Sequence, residues 1–437
     1  MCKRMYTRRQ VAQIGLSSIG SLALLDLAAA CGGTGASSTS HDTLQMSFWG
    51  NASRNKLTKN AIQAFHQQHS NITINTWYED FTTYFDKLNT QIASGTAPDL
   101  IQMDMSYLAQ YDKQHLLLDL TPYIKDKTID LTNFDQSMMI SSEDHSTPYG
   151  ISLGGNYECM LYDSNLIQQA GVSAPPTTMT WAEFGTYTGE LSKALASKKI
   201  YGTVDASGYM DLFEIWIRQQ GKELWTTDGK INYTVDDVTA WFNYWDGLRS
   251  SGACVPAETQ AAVTGSGASA SLLTKGKAVF DTTHSNQFVG FQQLNQHTLV
   301  FQQVPTGPKP GIYQKPSMLL SVAASSKYAK DGAMFINFLI NNTAGVRAIG
   351  LDRGIPGIPT ARAALQPTLS ANDKKVLVYA SLVASSGQTS NKTVLDPPGA
   401  SKILKDLSNV AQQVGFGKLS VTAGAQSFVQ QSQQALA

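Results

Sequence analysis

Carboxylates, amides and aromatic rings recur in this chain of 437 residues just past segments that alternate apolar and polar side chains. Asn51 follows residues 44–49, Asp80 follows residues 72–77, and Asp104 follows residues 99–103. Tyr209 and Asp211 come after residues 200–204, and His284 and Asn286 after residues 278–281. A carboxylate accepts from two neighbouring hydroxyl donors and an amide both donates and accepts, so such a set suits a ligand rich in hydroxyl groups. Tyr209 and Trp225 add flat apolar faces on which a ring can stack. Each candidate has a second reading. Asp80 and Asp104 also stand where helix N-caps stand, Asn51 where a turn residue stands, and Tyr209 where a ring packs beneath the next helix. Trp216 falls with Phe213, Ile217 and Gln220 at helical spacing, a core face, and Trp241 and Trp245 also read as core.

The elements that must position these residues alternate. Strand-like segments at residues 44–49, 72–77 and 99–103 are separated by helical patterns through Leu57, Ala61, Ala64 and Phe65 and through Tyr84, Leu88 and Ile92. That alternation predicts an α/β arrangement with a largely parallel sheet. It restarts near residue 152 with strand-like residues 159–162, and Thr180 with Glu183 three places on predicts a capped helix start. The length beyond residue 40 exceeds what one core usually serves, so two lobes are expected.

Other chemistries find little support in the sequence. His66 and His69 lack further metal ligands nearby and read as solvated, and Gly265-Ser266-Gly267 lacks the rest of a dinucleotide loop. No cofactor or metal is expected. Lys3, Arg4, Arg8 and Arg9 precede an apolar stretch over residues 11–25, and Leu27-Ala28-Ala29-Ala30-Cys31 reads as a lipoprotein cleavage site. The Arg8-Arg9 pair resembles a twin-arginine export signal. An apolar stretch of about 15 residues is shorter than the ~20 of a spanning helix. On this reading residues 1–30 are an export signal, Cys31 carries a lipid that holds the protein to the membrane, and residues 31–41 are a flexible tether. Removal of residues 1–30 leaves 29 basic against 32 acidic residues, which gives nucleic acid nothing to bind. Cys159 and Cys254 remain and read as two separate buried thiols, with a disulfide as the alternative.

Several motifs in order carry a resemblance: Ala93-Ser94-Gly95-Thr96-Ala97-Pro98-Asp99, Leu116-Leu117-Leu118-Asp119-Leu120-Thr121, Tyr149-Gly150-Ile151, and Ala170-Gly171-Val172 with Pro175-Pro176-Thr177-Thr178 and Trp181. Gly276-Lys277-Ala278-Val279-Phe280, the run Ala333 to Leu339, and Arg353-Gly354-Ile355-Pro356 follow. Together they resemble the family 1 extracellular solute-binding proteins. Met179-Thr180 is inserted where that family more often runs directly to the tryptophan.

The resemblance implies a two-lobed periplasmic-binding fold of type II, discontinuous in sequence, whose lobes close on a ligand like a hinged clamp. It implies residues 42–151 plus 284–357 in one lobe and residues 152–283 plus 358–437 in the other. Asn156 and Tyr157 then lie just past one crossing, His284 and Asn286 at a second, and Arg353 at the return; all are candidate ligand contacts, with hinge hydrogen bonding or an ion pair as the alternatives. The implied role is capture of a carbohydrate for an ABC importer permease by a monomer without catalytic function. Another polar solute, or glycoside hydrolysis by paired carboxylates, are the competing readings.

Overall fold

The computed structural model describes residues 41–139, 143–144, 147–263, 267–392 and 394–437. The expected export signal, Cys31 and most of the tether lie outside them, as do Gly265 and Ser266.

The strand Asp42–Trp49 pairs in parallel with Ile72–Glu79 on one side and with Leu100–Met103 on the other. Leu319–Val322 joins antiparallel to Leu100–Met103, and Ile151–Ser152 completes a five-stranded sheet. The helix Ala52–Gln68 lays Ala61 and Phe65 against this sheet, where Phe65 meets Phe335 and Phe338 edge-on. A second sheet runs in the order Leu299–Gln302, Glu158–Asp163, Ala278–His284 and Tyr201–Thr203. Every residue of Glu158–Asp163 is buried, as a central strand covered on both faces requires. The helices Trp181–Ala194, Met210–Gln219, Val235–Ser251, Ala400–Gly415 and Val421–Leu436 surround that sheet, with Trp241 and Trp245 fully buried among them. Residues from His41 onward form one unit. Its two sheets with their own helices make it a two-lobed α/β protein.

Short pairings join the lobes. Gly155–Asn156 pairs antiparallel with Lys315–Pro316, and Gly155 also bridges Ile355. Gly154 is required here, since a Cβ on it would lie 2.6 Å from the carbonyl oxygen of Arg353.

The expected chain crossing at His284 does not occur. After His284 the chain stays with the second sheet, because Leu299–Gln302 pairs with Glu158–Asp163. It leaves through residues 315–318 to enter the first sheet as Leu319–Val322. The helix Pro359–Leu365, expected in the second lobe, instead packs on Ala329–Asn341 and Thr343–Ile349, helices of the first. Lobe changes in an interleaved fold are fixed by strand partners hundreds of residues apart, which local patterns do not reveal.

Candidate functional site

Asn51, Asp80 and Asp104 each end a strand of the first sheet and open a helix. Asn51 accepts a hydrogen bond from the Arg54 amide at 3.0 Å, Asp80 from the Thr82 amide at 3.1 Å, and Asp104 from the Ser106 amide at 3.0 Å. All three are N-caps, the second reading that Asp80 and Asp104 carried from the sequence; Asn51, read there as a turn residue, caps a helix as well. Beside them lies a largely buried aromatic cluster: Trp49 packs edge-on with Phe81 and Tyr84, while Tyr107 stacks on Phe85 at 3.5 Å between centroids.

The second lobe carries a cluster of ionisable groups. Glu158 begins the central strand Glu158–Asp163 and His284 ends the neighbouring Ala278–His284, so the antiparallel register sets the two directly opposite each other. His284 Nδ1 lies 2.6 Å from Glu158 Oε2, and its Nε2 lies 3.4 Å from Asp211 Oδ2. Lys315 Nζ, from the crossing strand, sits 2.5 Å from Asp211 Oδ1. Thr282 donates to Glu158 Oε1 at 2.8 Å, and the Tyr209 hydroxyl reaches Oε2 at 3.4 Å. These groups, with Ile215 and Tyr313, surround a cavity of about 10 Å³, room for about one water molecule. Across from it the first lobe brings Asp104, whose charge acts on Lys315.

The charges tune one another. Burial raises the pKa of Glu158, with His284 pulling the other way. For Asp211 burial also opposes ionisation, but Lys315 and then His284 outweigh it and bring the pKa down to about 2. Burial works against the charge on Lys315 and on the His284 ring. Asp211 and Asp104 outweigh it for the lysine, and Glu158 and Asp211 for the histidine, so both pKa values stand above their ordinary positions. Glu158, Asp211 and His284 have a spacing that one ion could bridge. Both imidazole nitrogens lie within ion-pair reach of carboxylates, and Lys315 pairs with Asp211, which makes the arrangement an ion-pair row.

Other residues singled out in the sequence have different surroundings from those expected. Trp225 is buried at 2% exposure and its Nε1 donates to Asp396 Oδ1 at 2.9 Å, which corrects the reading of it as an exposed platform. Trp216, expected in the core, is only partly buried and stacks at the edge of Trp181, Trp241 and Tyr244. Arg353 is 1% exposed and donates to Gln102 and Thr58 within the first lobe, so it makes no ion pair across the lobes. Asn286 and Asn156 are buried; the Asn156 amide donates to Asn286 at 3.2 Å, and the Asn286 amide donates to the Asp352 carbonyl at 3.0 Å. That makes them a bridge between the lobes. Tyr157 is 8% exposed beside it, and its amide bonds Ser285. Cys159 and Cys254 are free and buried.

Sequence reasoning missed Glu158 and Lys315. A carboxylate opening the otherwise apolar run 158–162 was a signal for the first; nothing local marks the second. A larger hollow of about 480 Å³, lined by Lys59, His66 and Asn75 among others, lies against the edge strand Ile72–Glu79. It gathers no convergent ion pairs, so the row between the lobes is the better candidate.

Residues 60–377 match the family model for bacterial extracellular solute-binding proteins, and the chain belongs to that family. A family 1 extracellular solute-binding protein of Alicyclobacillus acidocaldarius is 29% identical, with a TM-score of 0.64 over 90% of this chain and 98% of that one. An oligogalacturonide-binding protein of Yersinia enterocolitica, solved with digalacturonic acid, shares the fold at 22% identity and a TM-score of 0.78, over 90% and 98% of the two chains. A substrate-binding protein of Listeria monocytogenes solved with cycloalternan does so at 20% and 0.76, again over 90% and 98%. Among curated sequences the chain matches proteins of Brucella abortus and Brucella suis named as binding proteins, 26% identical over 121 residues, spanning 28% of this chain and 28% of their length. No helix among the described residues is long and apolar enough to cross a membrane.

Proposed function

We propose that this protein captures a carbohydrate between its lobes and delivers it to an ABC importer permease, while a lipid on Cys31 holds it at the outer face of the membrane. The observation that carries the reading is the row Glu158, His284, Asp211 and Lys315, gathered from four separate elements, with the charge of Asp104 acting on Lys315. Alternating acceptors and donors suit vicinal hydroxyls, each of which donates and accepts, and the aromatic rings suit the apolar face of a pyranose. Sugar-bound relatives of the same fold support the ligand class.

The lobes are assigned as residues 41–152 plus 317–365, and 156–316 plus 366–437, with the paired segments 155–156 and 315–316 as the pivot. A cavity of about 10 Å³ cannot admit a sugar ring, so entry requires the lobes to part and retention requires them to close. A ligand gains its full set of contacts only in the closed state and shifts the population toward it.

A thermal-shift screen of mono- and oligosaccharides tests the reading. A ligand at 100 times its dissociation constant raises stability by about 2.7 kcal/mol, and recovery of the sugar unchanged separates capture from hydrolysis. A complete sugar panel without a shift, alongside a shift with another polar solute, overturns the choice of carbohydrate.

A further inference from the structure

Resting on the reading that the lobes part and close, we propose that the helix Ala400–Gly415 is a clasp. Ser401 and Lys405 of the second lobe hold two helices of the first, so that the protein itself supplies part of the closing free energy. At the start of the clasp the Ser401 hydroxyl donates to Gln110 Oε1 at 3.0 Å. One turn further on, Lys405 Nζ lies 3.4 Å from Asp86 Oδ1. Gln110 belongs to the helix Met105–Lys113 and Asp86 to the helix Phe81–Ala93. Residues four apart project from the same side of a helix, so a single face of Ala400–Gly415 spans two helices of the opposite lobe.

The clasp stands beside the cleft and outside the pivot. Met105–Lys113 starts from Asp104 at the end of a strand, and ligands of open α/β sheets sit beyond such ends. Ala400–Gly415 packs on Met210–Gln219, whose first turn carries Asp211. Both clasped and clasping helices therefore adjoin the ion-pair row, yet none of the four clasp residues lines the small cavity. The interlobe bonds of Gly155 and Asn286, by contrast, lie at the pivot. Gly155 exchanges backbone bonds with Ile355, and Asn286, which reaches the Asp352 carbonyl, is itself bonded to Asn156 of a pivot segment. Bonds at a pivot survive a rotation about it. Bonds between side chains on helices of opposite lobes do not, so Ser401–Gln110 and Lys405–Asp86 are features of the closed state.

The two bonds differ in weight. Ser401 is 6% exposed, and when the lobes part water replaces Gln110 as its partner, so the net gain is that of an ordinary neutral hydrogen bond. Lys405 and Asp86 keep 51% and 70% of their side-chain exposure, the setting of a weak pair that salt screens. The neighbouring Lys402 is paired with Asp406 inside the helix, so Lys405 is the cation that the clasp turns to the first lobe. The hydrogen bond raises the closed-to-open ratio by up to about tenfold, and the ion pair adds to it. A ligand that needs the closed state binds more tightly as the clasp raises the fraction of protein competent to hold it. Four residues outside the cavity thus help to set affinity and release.

Small-angle scattering of the full chain, freed of any carried-over ligand by unfolding and refolding, reads closure without a ligand. Scattering from residues 1–40 is common to every variant. Gln110→Lys combined with Asp86→Lys removes the acceptor of the Ser401 hydroxyl and sets like charge against Lys405, and should raise the radius of gyration. Adding Lys405→Asp restores opposite charges across the contact and should bring the radius part of the way back, with a smaller return in about 0.5 M salt. Ser401→Ala removes one hydroxyl and should shift the radius in the same direction by less; it carries the test if the melting temperature shows the double variant to be misfolded. A radius unchanged by breaking the clasp overturns the proposal, as does one that stays high after Lys405→Asp. A sugar screen without a hit alongside a clasp-dependent radius sinks the ligand class alone; sugar binding with a radius indifferent to the clasp sinks this proposal alone.

Discussion

The two walls of the cleft are built on different principles. On the first lobe each polar group is held by its own neighbours: Asn51, Asp80 and Asp104 bond amides two or three residues further along the chain. On the second lobe the two cleft carboxylates, Asp211 and Glu158, are held by a cation and a hydroxyl from distant segments. Asp211 and Lys315 are 104 positions apart, Glu158 and Thr282 124. A cap needs only its own helix, so the first wall depends little on distant segments. The second wall exists only in the folded lobe, and removing any member leaves a buried partner charge. The two walls should therefore respond differently to substitution.

The largest effect belongs behind the second wall. Lys392, 5% exposed, lies 2.8 Å from Glu214 and 2.7 Å from Asp396. Lys392→Met leaves two buried carboxylates without their cation and should cost about 3–5 kcal/mol of stability, read as a fall in chemical-denaturation midpoint. A loss below about 1 kcal/mol, the range of a surface pair, would show that this network is hydrated and that the contrast between the walls is overstated.

Two tryptophans sharpen the same contrast. Trp225→Ala empties a buried site and breaks the bond to Asp396, and should cost about 3–5 kcal/mol. Trp216→Ala, at the partly exposed edge of its cluster, should cost clearly less. Parallel melts of the two variants decide the order, and the reverse order would restore the assignment drawn from spacing. That assignment shows what a sequence conveys. Helical spacing placed Trp216 on a face with Phe213 and Ile217, and the face is real, yet Trp216 sits at its rim. Trp225 followed a helix end and read as exposed, because the loop containing Lys392 and Asp396 that covers it lies some 170 residues later. The N-caps, the parallel strands and the capping box of Thr180 with Glu183 were legible because their partners are adjacent. Glu158 and Lys315 were not, because only the pairing of Glu158–Asp163 with Ala278–His284, and of Gly155–Asn156 with Lys315–Pro316, brings them into the site.

Acid should separate the walls next. Asp211, with its pKa lowered to about 2 from an ordinary 3.8, contributes stability above the unfolded-state value and loses it as pH falls through the folded one. Between about pH 5 and about pH 2 the protein should lose roughly 2 kcal/mol at this residue. Asp211→Asn should flatten that part of the acid limb. An unchanged acid limb in the variant would mean that Lys315 does not hold the carboxylate in solution as it does in the fold.

The smallest effect, and the one that best divides local from distant roles, is at Asp104. Its carboxylate has two functions: it caps the helix Met105–Lys113 through the Ser106 amide, and it presents a charge to Lys315. Asparagine retains a capping oxygen and removes the charge, whereas alanine removes both. Asp104→Ala should therefore cost about 1 kcal/mol of stability, the usual loss of a cap, and Asp104→Asn only a few tenths. If the charge also draws the lobes together, both variants should weaken ligand binding by a similar factor despite their different melts. Calorimetric titration with whichever sugar stabilises the protein, set beside the unliganded melts, resolves the two roles. Binding that follows the melts, weakened in alanine and intact in asparagine, would make Asp104 a cap and nothing more. The first wall would then act through its shape and its aromatic rings, and all the charge in the cleft would belong to the second.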